Sequence, residues 1–390
     1  MRICPQVAGN INISTWGGAS SSYMVETPSR VLYRVYIDSL SDVAYTKSTD
    51  GGKTWGVSII VHTGTVIYLT VWYDRWSDIS AGLIHCAYVD NGVDDILYQS
   101  IDTENSDALS GETTVFAGST AVASGSISIT RARGGNIIVA GAIDAGAEDG
   151  AWESNNVGAT WGGTIADPSE GGSGDQYLLL PDWNADTQDV MLIFWDSSAD
   201  ELSVKRYDNS ADTWTEASIA TLVDVYPGGQ PGPQFAAAVD LTNSQNVIVA
   251  WSAVDLLNAD LQCWKITNTT INEMTNVVLN STDDQGICAI GIDTQSQAWW
   301  VAYAGKSDGS ETWFSAVQVY VKVSVDAGST WGAETLISTI GTFSIRQLIA
   351  VPRSIGPPAF NFALQGGTQY NLHAIVAGIT PSASYQMGVM

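Results

Sequence analysis

Positive charge is scarce in this chain: 15 Lys and Arg stand against 41 Asp and Glu, a formal charge of −26 over 390 residues. A groove that tracks nucleic-acid phosphates would have to be built from very few cations, which argues against nucleic acid as a partner. Cysteine is also sparse. Cys4, Cys86, Cys263 and Cys288 are scattered, with no Cys-x-x-Cys pair and no disulfide-dense framework. Cys86 and Cys288 lie in apolar runs that suit small buried thiols. His62, His85 and His373 are singletons without metal-ligand spacing. No apolar stretch reaches membrane-spanning length. The opening Met1-Arg2-Ile3-Cys4-Pro5-Gln6 is no signal peptide, because Gln6, Gly9, Asn10 and Asn12 interrupt any apolar core. Long amphipathic helical periodicity is missing throughout.

What is present is glycine, tryptophan and a beat. With 38 Gly, 15 Trp and only 14% charged residues, the chain reads as short apolar runs broken by Gly, Asp, Asn and Ser, the pattern of an all-β protein. The stretch Ser48-Thr49-Asp50-Gly51-Gly52-Lys53-Thr54-Trp55 returns at Ser324-Val325-Asp326-Ala327-Gly328-Ser329-Thr330-Trp331. A third copy runs from Ser154 through Gly158 to Trp161 with Asn156 at the Asp position, and a worn fourth ends at Thr213-Trp214. Gly supplies the positive φ of a tight turn, Ser and Asp oxygens accept bonds from turn N–H groups, and Trp buries an apolar face beneath.

Trp55 to Trp161 is 106 residues, Trp161 to Trp214 is 53, and Trp214 to Trp331 is 117, close to twice 58. A second marker keeps the same time: apolar runs end in Asp38, Asp90, Asp144, Asp196 and Asp255, at spacings of 52, 54, 52 and 59. A fixed period of this size signals a solenoid or a propeller, so one array over residues 1–390 is expected rather than two or three ordinary domains. Four strands fit each period, with the turn motif between the third and the fourth. Four-stranded antiparallel units repeated around an axis make a β-propeller. The count favours seven blades, the last closed by an N-terminal strand at 10–14 joining three C-terminal strands; six is the alternative, with the final segment as a cap.

The pattern Ser-x-Asp-x-Gly-x-Thr-Trp resembles the Asp-box, or BNR repeat, of sialidase-like propellers. The match is carried by Ser48, Asp50, Gly52 and Trp55, by Ser324, Asp326, Gly328 and Trp331, and in part by Ser154, Gly158 and Trp161. The resemblance implies a propeller whose Asp-boxes lie on the face opposite the functional one and perform no chemistry. It does not fix function, because such boxes occur in sialidases, other glycosidases, lectins and scaffolds. Sialidases hold the substrate carboxylate with three arginines, the first in an Arg-Ile-Pro-like sequence on the first strand. Here that strand reads Ser22-Tyr23-Met24-Val25-Glu26, and Arg346 alone has a plausible inner position. No catalytic residue is assigned on these grounds.

Alternate connections of an antiparallel blade fall on opposite faces, so the loops at Asp38, Asp90, Asp144, Asp196 and Asp255 are expected opposite the Asp-boxes, with Arg346, around a ligand-binding mouth. Asp90, Asp94 and Asp95 have oxygen-ligand spacing that suits Ca²⁺; the competing reading is that each Asp caps its own turn. Trp72, Trp76, Trp183, Trp251 and Trp313 suit either stacking on sugar rings or packing between blades. Three functional readings follow. The first is a non-catalytic interaction module, a virus or phage particle surface component in an oligomeric assembly, binding glycans or neighbouring subunits. The others are an extracellular glycoside hydrolase of sialidase-like fold and a purely structural virion subunit. The missing export signal and the missing arginines motivate the first.

Overall fold

The structure is a computed structural model that describes residues 3–4, 22–73, 82–118, 127–142, 149–162, 164–166, 168, 176–196, 201–221, 235–252, 260–279, 285–305, 318–339, 344–365 and 370–375. Strands account for all its regular elements among these residues. The first blade is Ser22–Glu26, Leu32–Ile37, Val43–Ser48 and Ile59–His62. The second is Val66–Tyr73, Leu83–Asp90, Asp95–Asp102 and Thr113–Ala117, with Ala108–Leu109 added beside its third strand. The third blade comprises Ile127–Arg131, Ile137–Ala142, Asp149–Ser154 and Thr164–Ile165; the fourth, Gln176–Pro181, Val190–Asp196, Glu201–Asp208 and Thr213–Thr221. The fifth comprises Phe235–Asp240, Gln245–Ser252, Asp260–Thr267 and Thr270–Glu273, and the sixth Gln285–Asp293, Trp299–Gly305, Gln318–Ser324 and Thr335–Thr339.

The expected ring of seven equivalent four-stranded antiparallel blades is corrected. Six blades, mostly four-stranded, come from consecutive strands. The remaining sheet is different in kind, a composite of Ser344–Ala350, Ala359–Gln365, Tyr370–Ile375 and the two residues Ile3–Cys4. Ile3–Cys4 closes it, paired as Ile3↔Ala374 and Cys4↔His373, and the residues expected in that place, 10–14, lie outside the described residues. Pro5 follows at once and has no N–H for a ladder. Two blades carry a fifth strand, and one of these additions is parallel: Arg353–Ser354 pairs with the first strand of the sixth blade as Ile292↔Arg353. The fourth strand of the fifth blade follows its third after only two residues. Asn268, at φ 55°, closes a tight hairpin and puts that strand at Thr270–Glu273.

Burial explains why strict alternation is weak in the sequence. Second strands are covered on both faces by neighbouring sheets, so Leu32–Ile37 is buried at all six positions, whereas the outer strand Thr213–Thr221 is largely exposed. The seams between sheets are apolar. Val35, Tyr45, Leu69 and Tyr88 join the first blade to the second, and Tyr98, Val115, Ile129 and Trp152 the second to the third. Among the described side chains, the seam between the composite sheet and the first blade buries Met24, Leu32 and Val351.

Candidate functional site

The Asp-box turns sit between third and fourth strands, and their bonds show what each motif residue does. Ser48 Oγ accepts the Gly52 N–H at 2.8 Å and donates to Asp50 Oδ1 at 2.8 Å. Asp50 then accepts the Thr54 N–H at 2.9 Å and the Thr54 hydroxyl at 2.7 Å. Ser324, Asp326, Gly328 and Thr330 repeat this arrangement. In the third copy Ser154 still accepts from Gly158 N–H, and Asn156 accepts the Thr160 N–H, but its amide donates to the Thr160 hydroxyl, reversing one bond. The Thr54 N–H and hydroxyl hold Asp50 down at about 2, below the ordinary carboxylate range. For Asp326, desolvation pulls upward, and the Thr330 and Ser324 bonds outweigh it.

The tryptophans reach further than the turns they end. Trp161 Nε1 donates to Thr113 Oγ1 at 3.2 Å, Trp214 Nε1 to the Ala166 carbonyl at 2.6 Å, and Trp331 Nε1 to the Thr275 carbonyl at 2.8 Å. Each acceptor lies in or just after the outer strand of the preceding blade, so the box latches one blade to the last. Trp55 Nε1 bonds within its own turn, to the Gly52 carbonyl at 3.1 Å.

At the opposite strand ends, Asp38 Oδ1 accepts the N–H groups of Leu40 at 2.8 Å and Asp42 at 3.0 Å, a turn cap. Asp90 Oδ1 accepts from Thr65 and Gly92 N–H, and Oδ2 bonds His62 Nε2 at 2.9 Å. Burial pushes Asp90 up, but the bonds from His62, Gly92 and Thr65 hold it below its usual range. Asp95 Oδ1 takes the Gly118 N–H, and Asp94 is an exposed turn residue at φ 57°. No group of three or more His, Cys, Asp or Glu able to hold a metal ion occurs among the described residues. Asp144 and Asp255 lie outside the described residues. Asp196 ends the second strand of the fourth blade opposite Glu201, and Arg346 lies on the inner strand Ser344–Ala350.

His62 is not the singleton its sequence neighbourhood implies. It joins the first blade to the second, with Nδ1 2.7 Å from Glu112 Oε2 and its ring 4.8 Å from that of Tyr88. Tyr88 donates to the same Glu112 oxygen at 2.7 Å, and burial above all pushes this phenol well above its ordinary value. The tyrosine-to-glutamate bond recurs between Tyr303 and Glu334, and Tyr36 donates to Ser58 from the same blade position. A second-strand tyrosine tied to the residue before the fourth strand is therefore a blade-building bond. His85, fully buried, has Nδ1 2.7 Å from the Tyr98 hydroxyl.

The axis offers the candidate ligand site. The inner strands of all the sheets line a cavity of about 180 Å³. Its walls are mainly apolar, with Tyr23 and Trp72 half-buried and a polar end made by Glu26, Tyr73 and Arg353. Arg353 Nη2 donates to the Tyr73 carbonyl at 3.3 Å, and Glu26 Oε2 accepts the Ile355 N–H at 3.0 Å. Trp72 both faces this space and packs against two seams, so the two sequence readings of that residue coincide. The polar end escaped the sequence reading; its only trace was a charged residue closing the otherwise apolar Tyr23-Met24-Val25-Glu26 run. Three other cations serve the fold: Arg206 and Arg133 both bind the 182–189 connection, through the Asp182 carboxylate and the Asp182 carbonyl respectively, and Lys47 is paired with Asp107.

No family model matches the chain, and no curated protein does. Among solved structures, it is similar to an ulvan lyase of a new polysaccharide lyase family, bound to -[GlcA(1-4)Rha3S]-, with TM-score 0.59, 9% identity, and 96% of each chain covered. A Hadza microbial sialidase aligns at TM-score 0.46 and 13% identity, over 91% of this chain and 65% of that one. Aleuria aurantia lectin aligns at 0.47 and 14%, over 81% and 96%. The Asp-box resemblance rests on the turns themselves rather than on a family match, and what the likeness to the lyase shows is a shared architecture: this chain is a β-propeller.

Proposed function

We propose that this chain is a carbohydrate-binding propeller of the kind on which glycan-active enzymes are built, taking its ligand at the axial cavity. The observation that carries the reading is that cavity: inner strands from every sheet converge on one largely apolar space in which half-buried Tyr23 and Trp72 stand beside the polar Glu26 and Arg353. An apolar wall with a few converging polar groups is the usual form of a small-ligand site, and aromatic faces suit the C–H faces of sugar rings. The lyase that shares the fold over its whole length was solved with a saccharide bound. This favours a glycan-active reading over the non-catalytic particle component, whose motive is confined to the sequence. Glu26 is the carboxylate among the described cavity-lining residues, where a glycosidase would need a second.

A glycan array followed by turnover of a panel of aryl glycosides tests the proposal. Binding that is lost in Trp72→Ala supports it, and turnover lost in Glu26→Gln extends it to catalysis. Absence of binding to any glycan overturns it. Placement outside the cell or on a particle is a separate proposal, tested by locating the chain in its source.

A further inference from the structure

Residues 351–356 do more than connect two strands of the composite sheet. Pro352 and Ser354 carbonyls accept the Ile292 and Thr294 N–H groups of the sixth blade, at 3.0 and 2.9 Å. The Ile355 N–H reaches Glu26 of the first blade at 3.0 Å, and the Gly356 N–H reaches Asp293 of the sixth at 2.9 Å. Arg353 crosses further, to the Tyr73 carbonyl at the end of the second blade's inner strand. One short segment thus ties the composite sheet to three blades. Val351, Arg353 and Ser354 are buried. Glu26, Tyr73 and Asp293 all stand where inner strands end, which is the end that carries the Asp-boxes.

We infer that this strap plugs the axial channel at the Asp-box end, so the cavity is a one-ended pocket that takes the terminal unit of a glycan and not the interior of a polymer. The inference rests on the glycan reading above. A polymer held along its length needs a groove open at both ends or a channel open through the ring. Here the backbone of 351–356 and the Arg353 side chain occupy one end, and their hydrogen bonds to three blades make displacement costly. Size points the same way: about 180 Å³ is below the roughly 300–1,000 Å³ of pockets that enclose drug-sized ligands. One sugar ring fits such a space better than a run of several.

The test is an array in which each glycan sequence is presented as a free terminus, as an internal segment of a longer chain, and as a cyclic oligosaccharide without ends. A preference for free termini of at least about tenfold is expected, with affinity that does not grow once the terminal unit is complete. Equal affinity for cyclic or internal segments, or affinity rising steadily with length, overturns the inference while leaving the glycan reading intact. No binding by any member overturns both. Ala236→Trp adds bulk to the cavity lining from the fifth blade's inner strand, at a residue that takes no part in the strap's hydrogen bonds. It is expected to abolish binding of termini while the variant melts near the wild type; wild-type binding by that variant places the ligand elsewhere and overturns the inference.

Discussion

Asn156 stands where two sister turns carry aspartate, and the turn survives with one bond reversed. That natural comparison separates geometry from charge. Asp50→Asn is therefore expected to keep its turn and lose only the part of stability that titrates. The sign follows from the lowered folded-state value: the carboxylate contributes fully above the ordinary range near ~3.9 and ceases to as pH falls through about 2. Thermal unfolding followed from about pH 5 to about pH 1.5 should show a shallower acid limb in the variant; identical limbs contradict the assignment. The two turn glycines separate in the same way. A Cβ at Gly158 would sit 2.0 Å from the Tyr98 ring at φ +79°, whereas Gly51, at φ +72°, has nothing within 4 Å. Gly158→Ala should cost about 2–4 kcal/mol and Gly51→Ala about 1 kcal/mol in denaturant unfolding, because only the first adds overpacking to backbone strain. The motif marks Gly158, which stands at its glycine position, whereas Gly51 only precedes the motif glycine Gly52. It did not show that Gly158 lies against a tyrosine of the neighbouring blade, because Tyr98 is 60 residues away in sequence.

Among the elements, the indole latches explain why the period is carried by tryptophan. Trp161→Phe keeps most of the apolar contact with Tyr98 but removes the bond to Thr113, and should cost about 1 kcal/mol. Chemical denaturation checks the size. A change several times larger would mean that the indole packs in a way the bond does not describe. The spacing of the boxes was legible, whereas the latch partners were not: two of the three acceptors are backbone carbonyls, which any residue supplies. Strand existence was legible for the same reason that alternation was weak, since second strands buried on both faces read as unbroken apolar runs. Thr270–Glu273 carries no such marker in the sequence, because a two-residue hairpin at Asn268 needs no motif glycine. His62 was read as isolated because Asp90 and Glu112 reach it from another blade.

For the molecule as a whole, the period located the six blades built from consecutive strands, but the count of seven failed because the composite sheet and the strap break the period. Ile292↔Arg353 is a parallel pair formed after an intervening blade's worth of chain, and Arg353 meets Tyr73 across 280 residues. Nothing local encodes such contacts. The same holds for the axial cavity, whose walls are contributed a few residues at a time by every sheet. Of the acid-bearing connections expected at the mouth, Asp38 and Asp90 are turn caps, and those at Asp144 and Asp255 lie outside the described residues. The charge of −26 acts at this scale through self-repulsion, which salt screens with a Debye length of ~8 Å at physiological strength. The melting temperature is expected to rise by a few degrees between about 10 mM and about 150 mM sodium chloride. A fall would mean that attractive pairs such as Lys47 with Asp107 outweigh the net repulsion.

Ligand is expected to sit in the axial cavity. A crystal structure of the protein soaked with the strongest-binding glycan from the array measures this directly. The expected result is one sugar ring in the space between Tyr23 and Trp72, with its remaining units leading away from Arg353. Ordered sugar on an outer strand or between blades, with the axial cavity unchanged, would contradict it.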